Sequence, residues 1–342
     1  MSDQDLRIPY PVLCERLATV LAAHGMPADL ARQEAEIMAE ADLHETPSHG
    51  VRMLPNLVRA FDEGRAKAVP DTKWVRDLGA ICLLDGDNGP GRQVAMMGMQ
   101  AAIDRARKFG IGACVAVRTT HWGRAHAYAL RAAQAGMIGI CSTNAVNSMV
   151  AWGSKGPVIG NNPIAIGIPR AASDPMVLDI AMSQAAVGKV TTWLREGREL
   201  PAGWGVDATG KPTTDPKAIL SGAVSPMGGH KGAGLALMME LLTAALGNGL
   251  FGYELEGGRN SVEIDTSKIF IAIDPAAFGG TEHFEARVTA YMDYLRANGG
   301  VTEPFFAPGE RGWQAARHNL QAGVPLHPEI VEQLKGVGVD LG

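Results

Sequence analysis

The segment Asp42-Leu-His-Glu-Thr-Pro-Ser-His-Gly-Val-Arg-Met53 joins two predicted helices, and the organisation of the chain can be worked out from it in both directions. A short polar hinge of this kind is where a rigid scaffold usually presents functional groups. Ser48 and His49 place a hydroxyl and a titratable ring beside Gly50, where the backbone can approach a ligand closely. Arg52 could hold a carboxylate through its planar guanidinium group. A purely structural interpretation also exists, in which Ser48 caps the next helix and His49 is a surface ring.

Apolar residues at helical spacing lie on both sides of this hinge and again near the end of the chain. The pattern predicts helices over residues 11–24, 27–41, 55–64, 93–109, 124–135, 234–246, 282–297 and 312–322. Short apolar, β-branched runs bounded by Gly, Pro, Asn or Asp fill the middle and are typical of buried strands. They cover residues 80–84, 111–117, 137–142, 164–168, 176–180 and 269–273. We therefore expect an α/β (α+β) fold with a mixed central sheet, flanked by helices from both chain ends.

Composition and charge argue against several classes of partner. The 342 residues are 46% hydrophobic and 20% charged, which is typical of a well-packed globular chain. The net charge is −5 and no basic run appears, so nucleic acid and anionic membranes are poor candidates. No apolar stretch is long enough to span a bilayer and the start lacks an apolar signal core, so we expect a cytoplasmic protein.

Two arrangements of histidines resemble metal sites but lack the required geometry. His44 and His49 are one residue too far apart for a zinc-protease helix, and Pro47 breaks the helix that would align their rings. His121 and His126 have no third ligand at a convincing spacing. The cysteines share no close pair and lie in apolar runs, which indicates buried free thiols: Cys14, Cys82, Cys114 and Cys141. We therefore predict no metal and no disulfide.

A glycine-rich turn is the best candidate for binding a phosphate-bearing ligand. The Rossmann fingerprint is absent, because Gly110-Ile-Gly112 begins a strand instead of following one. In Gly228-Gly-His-Lys-Gly-Ala-Gly234, free backbone amides ahead of a helix would favour an anion, and Lys231 adds a full charge. The alternative is a simple tight turn with an exposed lysine.

The second histidine cluster follows a predicted strand directly. In Thr119-Thr-His-Trp-Gly-Arg-Ala-His126, the position of His121 at a strand end is common for ligand sites in mixed sheets. His126 would fall on the next helix, where a structural role is expected.

Three further segments contain polar residues within otherwise apolar stretches, namely Gly160-Asn-Asn-Pro163, Leu178-Asp-Ile-Ala-Met-Ser183 and Pro308-Gly-Glu310. Asp179 comes at the end of a buried strand, where a carboxylate must be paired with a ligand or with backbone. Capping of a helix is the ordinary explanation for such an aspartate.

Taken together and in this order, the segments resemble the non-Rossmann malate/L-lactate dehydrogenase family of NAD(P)-dependent oxidoreductases over nearly the whole chain. The resemblance implies NAD or NADP as cofactor, bound by a domain with a largely antiparallel sheet, which would explain the missing Rossmann fingerprint. It also implies a small carboxylate substrate and a homodimer with active sites near the interface. We expect residues 1–75 with 285–342 to form a helical substrate and dimer domain, and residues 76–284 to form the cofactor-binding sheet domain.

The resemblance also assigns roles by position. His49 matches the histidine that donates a proton to the substrate oxygen, with Ser48 beside it, and His121 matches a second acid/base histidine. Arg52 and His121 are the predicted substrate contacts. The predicted dinucleotide contacts are His121, Asp179, Ile180, Ala181, Ser183, His230, Lys231, Pro308, Gly309 and Glu310. The chain departs from the family where Met53 replaces a frequent arginine, and where Trp122 and His126 replace the usual Phe and Gly.

We therefore expect reversible hydride transfer between NAD(P) and a small 2-hydroxy or 2-oxo carboxylate. In reduction, His49 as imidazolium would protonate the developing alkoxide, while His121 would polarise the carbonyl or relay the proton. An unperturbed histidine pKa of about 6.5 suits both directions. Reduction of a cyclic imino acid is the alternative within the family. A dinucleotide-binding protein without turnover is the alternative outside enzymes.

Overall fold

A seven-stranded sheet lies at the centre of the computed structural model, which describes residues 5–171, 173–257, 261–299 and 305–341. The described chain forms the strands β1 (Leu6–Ile8), β2 (Lys73–Leu78), β3 (Ile81–Gly89), β4 (Ile111–Thr119), β5 (Ile138–Thr143), β6 (Met149–Val150), β7 (Pro157–Ile159), β8 (Ile164–Ile168), β9 (Met176–Ile180), β10 (Gly205–Val206), β11 (Ala223–Val224), β12 (Thr266–Ile273) and β13 (Val324–Leu326). Its α-helices are α1 (Tyr10–Ala23), α2 (Ala28–Leu43), α3 (Leu54–Asp62), α4 (Gly91–Phe109), α5 (His126–Gln134), α6 (Val187–Arg195), α7 (Pro216–Ser221), α8 (His230–Glu240), α9 (Thr281–Ala297), α10 (Glu310–Ala322) and α11 (Pro328–Lys335). Within the described residues, no helix combines the length and the apolar character needed to cross a membrane.

The central sheet has the strand order β2-β3-β4-β12-β5-β8-β9. Neighbouring strands are antiparallel except β3 and β4, which run parallel and are connected through α4. The predicted mixed, largely antiparallel sheet is therefore confirmed. β12 comes from late in the chain and lies between β4 and β5. Its side chains alternate, so that Phe270 and Ala272 face one side of the sheet while Ile269 and Ile271 face the other.

One side of the sheet is covered by α4 and α5. Phe270 of β12 and Leu84 of β3 are fully buried there, together with Tyr128 of α5. α4 packs so closely on β12 that a Cβ on Gly98 would lie 2.5 Å from the ring of Phe270. This close packing fixes the start of α4 beside the ends of β3 and β4, where the chain continues into the loop that carries His121.

The two ends of the chain share a second core. β1 pairs antiparallel with β13, which brings residues near the start and the end of the chain together. α1, α2, α3, α10 and α11 contribute to this core, in which Leu13, Leu17, Leu326 and Leu334 are fully buried. The prediction that helices from both chain ends flank the sheet is thus confirmed.

A small sheet with the strand order β10-β11-β6-β7 was not predicted. Each of its strands has two or three residues, which is too short to show an alternating pattern. With α6, α7 and α8 it encloses a third core that includes Met149, Val190 and Ile219. This unit forms one wall of the cavities described below.

Two predicted loops differ from the structure. The loop predicted over residues 85–90 is strand as far as Gly89, because Arg118 pairs with Asp85 at 2.9 Å and with Asp87 at 3.0 Å and so neutralises their charges. The helix predicted from residue 234 begins at His230 instead, because positive φ angles at Gly228 (59°) and Gly229 (63°) confine the turn to those two residues.

The other side of the central sheet is only partly covered in a single chain. Ile164, Ile166 and Ile168 of β8 remain partly exposed, whereas the residues between them are buried beneath α5. The continuation of α8 over residues 241–245 lies near β4 and β12, yet its own apolar side chains, with Leu235 and Leu246, are largely exposed. α9 packs loosely on the same chain, since Met292 is its one buried residue. A substantial apolar surface therefore extends across this side of the molecule.

Candidate active site

Two short 3-10 turns, Pro47–His49 and Val51–Met53, shape the hinge after α2. The buried carboxylate of Asp42 holds the second turn by accepting a hydrogen bond from Val51 N–H at 2.7 Å. Gly50 passes directly over this carboxylate, and a Cβ there would lie 1.8 Å from Asp42 Oδ2. Packing therefore requires glycine at this position, and the contact fixes where the preceding histidine faces.

A buried ion pair supports the hinge from the side of the sheet. Arg92, in the first turn of α4, donates to Glu34 of α2 at 2.9 Å, and both side chains are almost fully buried. Arg92 Nη2 also lies 3.5 Å from the main-chain oxygen of His49. Sequence reasoning missed this pair, although Glu34 stands in the apolar stripe of α2. A carboxylate in such a stripe signals a buried partner, because an unpaired buried charge is strongly destabilising.

His49 is half-buried and has few fixed partners. Ser48 Oγ lies 2.8 Å from its Nδ1, and its ring stacks against that of His121 with centroids 5.8 Å apart. Burial lowers the pKa of His49 below its usual value; Asp179 acts in the opposite direction, while Arg124 lowers the pKa further. The Nε2 atom is thus left for a ligand, with Ser48 able to hold either tautomer through Nδ1.

His121 is held much more firmly. Gly123 N–H donates to its Nδ1 at 3.1 Å, and its own main-chain N–H donates to Glu263 O at 3.0 Å. Burial lowers the pKa of His121 well below its usual value, and the positive charges of Arg92 and Lys268 contribute to this shift. Because Nδ1 accepts a hydrogen bond, the neutral ring carries its proton on Nε2. His121 is therefore set up as a neutral N–H donor.

Two adjoining cavities meet at this pair of rings. Both have His49, His121 and Asn161 in their walls. The first cavity, of about 410 Å³, is bounded mainly by apolar side chains and main chain, and Glu263 is the one acidic residue that the described chain contributes to it. We refer to it as the neutral cavity.

The second cavity, of about 630 Å³, carries positive charge. Arg52, Arg59 and Arg195 are in its wall together with Ser48, and the described residues contribute no acidic side chain there. Arg195 is engaged with Glu329 at 2.7 Å, whereas no ion pair involves Arg52 or Arg59 within the described chain. We refer to it as the cationic cavity.

Asp179 caps a helix in the structure. Its Oδ2 accepts the main-chain N–H of His126 at 3.0 Å, at the start of α5, and lies 3.3 Å from Arg124 Nε. His126 itself is buried, with its ring 5.0 Å from that of His44. The roles expected from the sequence, helix capping for Asp179 and a structural position for His126, therefore agree with these contacts.

The other predicted dinucleotide contacts form two groups outside the walls of these cavities. The first group lies around Met182, which connects β9 to the glycine-rich turn. The Met182 N–H donates to Asn161 O, and the Met182 oxygen accepts from Met227 N–H, both at 2.8 Å. Ile180, Ala181 and Ser183 thereby lie near the turn that carries the exposed His230 and Lys231. The second group begins with Pro308, whose oxygen accepts from Val177 N–H at 3.1 Å at the opposite end of β9, and continues with Gly309 and Glu310. Their contact with a cofactor stays a prediction.

A buried lysine behind His121 was also missed from the sequence. Lys268 is fully buried, and its Nζ donates to Thr266 Oγ1 at 2.7 Å, to Thr120 O at 3.0 Å and to Thr119 Oγ1. Burial lowers its pKa to about 7. A lysine within the apolar run of β12 was the available signal. Its contacts anchor the loop from which His121 projects.

Comparisons with known proteins identify the family and, with it, the class of enzyme. The family model for malate/L-lactate dehydrogenase matches residues 8–335. L-Sulfolactate dehydrogenase of Methanocaldococcus jannaschii is 35% identical over 326 residues, which cover 94% of each chain. A solved structure of sulfolactate dehydrogenase from that organism matches with a TM-score of 0.90 and 32% identity, covering 97% of this chain and 96% of the other.

Relatives with other named activities match over similar lengths. A (2R)-3-sulfolactate dehydrogenase (NADP(+)) of Chromohalobacter salexigens is 34% identical over 93% of this chain and 94% of its own. A Delta(1)-pyrroline-2-carboxylate/Delta(1)-piperideine-2-carboxylate reductase of Pseudomonas syringae is 33% identical over 96% of this chain and 95% of its own. The chain belongs to the malate/L-lactate dehydrogenase family. It is an oxidoreductase that acts on hydroxy or oxo acids.

Proposed function

We propose that this protein transfers a hydride reversibly between NAD(P) and a small 2-hydroxy or 2-oxo carboxylate, with proton transfer by His49. The observation that carries the proposal is the junction of the cationic and neutral cavities at two imidazoles that are held in different ways. A substrate carboxylate is favoured on the cationic side, and the planar nicotinamide ring on the neutral side. The reacting carbon would then lie beside both histidines.

The two histidines have different proposed roles at the substrate oxygen, polarisation by His121 and proton transfer by His49. His121 donates from Nε2 while its Nδ1 is occupied by Gly123, so it can polarise a carbonyl without losing its own proton. His49 has an unfixed Nε2 and the flexible hydroxyl of Ser48 at Nδ1, so it can give a proton in reduction and take one in oxidation.

The cationic cavity supplies candidates for binding the substrate carboxylate. Met53 replaces the arginine that many family members carry, but Arg52 and Arg59 are in the wall of the same cavity as His49. A guanidinium fork binds a carboxylate through two parallel hydrogen bonds. We propose Arg52 as the clamp, with Arg59 adding to the positive potential.

The neutral cavity fits a nicotinamide ring in size and polarity, and the bound dinucleotide would supply or accept the hydride. The amides at the start of α8, with Lys231, remain the proposed phosphate contacts. We also retain as proposed contacts the main chain around Asp179 to Ser183 and the segment Pro308–Glu310. Both NAD and NADP are compatible with these residues.

A panel of substrates tests the proposal. Small 2-oxo acids such as pyruvate, oxaloacetate and glyoxylate, and cyclic imino acids, would each be assayed with NADH and NADPH by absorbance. We expect turnover with at least one 2-oxo acid. Turnover confined to the cyclic imines would overturn the oxo-acid assignment, and binding of dinucleotide without turnover of any compound would indicate a binding protein.

Reduction of a cyclic imino acid is the second candidate, and a specific residue favours it. A cyclic imine carries a cationic nitrogen when protonated, and Glu263 places an acid in the wall of the neutral cavity. The pyrroline and piperideine carboxylate reductase among the relatives makes this activity chemically accessible to the fold.

We further propose a homodimer in which the uncovered side of the central sheet, rather than the helical chain ends alone, packs against a second copy. The partly exposed isoleucines of β8 and the exposed leucines of the segment after α8 form an apolar surface of the kind that obligate dimers bury. Light scattering is expected to give twice the chain mass at micromolar concentration. A fully active monomer would refute the dimer. The four buried free thiols agree with the proposed cytoplasmic location.

A further inference from the structure

Glu263 is in the wall of the neutral cavity, and the proposed proton and carboxylate chemistry leaves its side chain unused. It follows Ser261 and Val262 on the segment that leads into β12, and it contributes to the cavity wall alongside His49 and His121. An acidic side chain in a ligand cavity needs a partner, because a buried carboxylate without one is costly.

The partners of this carboxylate within the described chain are few. Oε1 accepts one long hydrogen bond from Val146 N–H, at 3.3 Å, and no ion pair of Glu263 is found within the described residues. A carboxylate can accept about four hydrogen bonds. Among the described residues, most of that capacity is therefore left for a ligand in the cavity.

The surroundings of Glu263 permit the ionised form near neutral pH. Burial raises the pKa of Glu263 to about 7, and the Val146 N–H and the Lys268 ammonium both act to lower it. Lys268 is held by oxygen atoms of Thr119, Thr120 and Thr266 and makes no direct contact with the carboxylate. It lies behind the cavity and leaves the Glu263 oxygens available to a ligand.

The position of Glu263 relative to His121 identifies the part of the ligand that it would meet. The main-chain oxygen of Glu263 accepts the His121 N–H at 3.0 Å, so the two residues are adjacent in space. In a nicotinamide, the carboxamide is attached to the ring carbon next to the one that carries the hydride. A group that binds this carboxamide must therefore lie beside the residues that act on the reacting carbon.

We propose that Glu263 accepts a hydrogen bond from the carboxamide NH₂ of the bound nicotinamide and thereby selects the amide form of the cofactor over the acid form. The inference rests on the proposed function and adds a specificity determinant to it. An amide offers the N–H donors that a carboxylate lacks. The acid analogue, nicotinic acid adenine dinucleotide, would instead place its own carboxylate against that of Glu263.

The test compares the binding of two dinucleotides to three proteins. Dissociation constants for NAD and for nicotinic acid adenine dinucleotide would be measured by calorimetry, at about pH 8, for the parent, Glu263→Gln and Glu256→Gln. Glutamine keeps the size of the side chain and its acceptor for Val146, and it adds an N–H donor. Glu256 is an exposed acid of the preceding loop that is not in the cavity wall, so it serves as the matched control.

The parent and Glu256→Gln are expected to bind the acid analogue at least about tenfold more weakly than NAD, and Glu263→Gln should reduce this preference by about tenfold. An unchanged preference in a folded Glu263→Gln protein that still binds NAD would overturn the inference and leave the proposed function intact. A Glu263→Gln effect confined to the KM of cyclic imines would also overturn it, by assigning the carboxylate to a substrate nitrogen. Failure of the parent to bind any dinucleotide would contradict the proposed function itself.

Discussion

The rings of His49 and His121 stack where the two cavities meet, yet the chain fixes the first loosely and the second firmly. His49 is on a short 3-10 turn, next to the exposed Ser48, and has one side-chain partner that can either donate or accept. His121 is on a loop whose neighbours are buried, and both its Nδ1 and its main-chain N–H are engaged. The difference supports the proposed roles, in which His49 changes its protonation state during turnover and His121 stays neutral.

Replacement of His49 is expected to have the largest effect. His49→Ala should lower turnover by roughly 10²- to 10⁴-fold, the usual contribution of a general acid or base, with dinucleotide affinity nearly unchanged. Steady-state kinetics and calorimetry on the same preparation would measure both quantities. Turnover within a few-fold of the parent would remove His49 from the mechanism.

Replacement of His121 tests the fixed donor. His121→Ala should lower turnover by about 10²-fold, near the lower end of what removal of one preorganised donor costs. His121→Gln retains an N–H donor and should recover part of the loss, although glutamine cannot transfer a proton. If Gln were no better than Ala, the ring would have to act by proton transfer, and the contrast between the two histidines would fail.

Replacement of Arg52 tests the cationic cavity beside His49. Arg52→Ala should raise KM by roughly tenfold with a small change in kcat, as expected for a contact made equally in the ground and transition states. Arg32→Ala, which changes an exposed arginine of α2 outside both cavities, is the matched control. Equal KM values for the two variants would exclude Arg52 as the carboxylate clamp.

The pH dependence of kcat/KM is expected to be the smallest of these effects, but oxidation and reduction should respond in opposite directions. Because the pKa of His49 is lowered in the empty site, its ring stays neutral until the pH falls below the ordinary value of 6.5. kcat/KM for hydroxy-acid oxidation, which needs a neutral base, should therefore hold down to about pH 6.5 and decline below it. For reduction, which needs the imidazolium, kcat/KM should decrease as the pH rises through the same pKa. If kcat/KM for oxidation already declined at a pH well above 6.5, this would contradict the lowered pKa of His49.

Sequence reasoning identified those parts of the fold and site that local patterns determine. The six predicted strands and the predicted helices all occur, with ends displaced by a few residues, because their apolar periodicity is a local property. Ser48, His49, Arg52 and His121 do meet at the cavities, since each stands at the end of a regular element. The family resemblance is confirmed by the matches to known members.

What the sequence could not predict depends on residues that are distant along the chain. The Arg92–Glu34 pair joins α4 to α2, and the Lys268 contacts join β12 to the residues at the end of β4, so neither is a local pattern. The glycine-rich turn was misplaced because only backbone angles reveal that Gly228 and Gly229 complete it before the helix begins. The small sheet offers no periodicity to detect.

The partly covered side of the central sheet has a consequence for the folding and assembly of the newly made chain. Ile166 and Ile168 stay partly exposed in the single chain, and the proposed second copy would remove them from water. In the proposed dimer, association would be the final step of folding, and the apparent melting temperature is then expected to rise with protein concentration. Before that step the same surface invites non-specific contacts, and the yield of refolding should decrease as crowding by other unfolded chains increases.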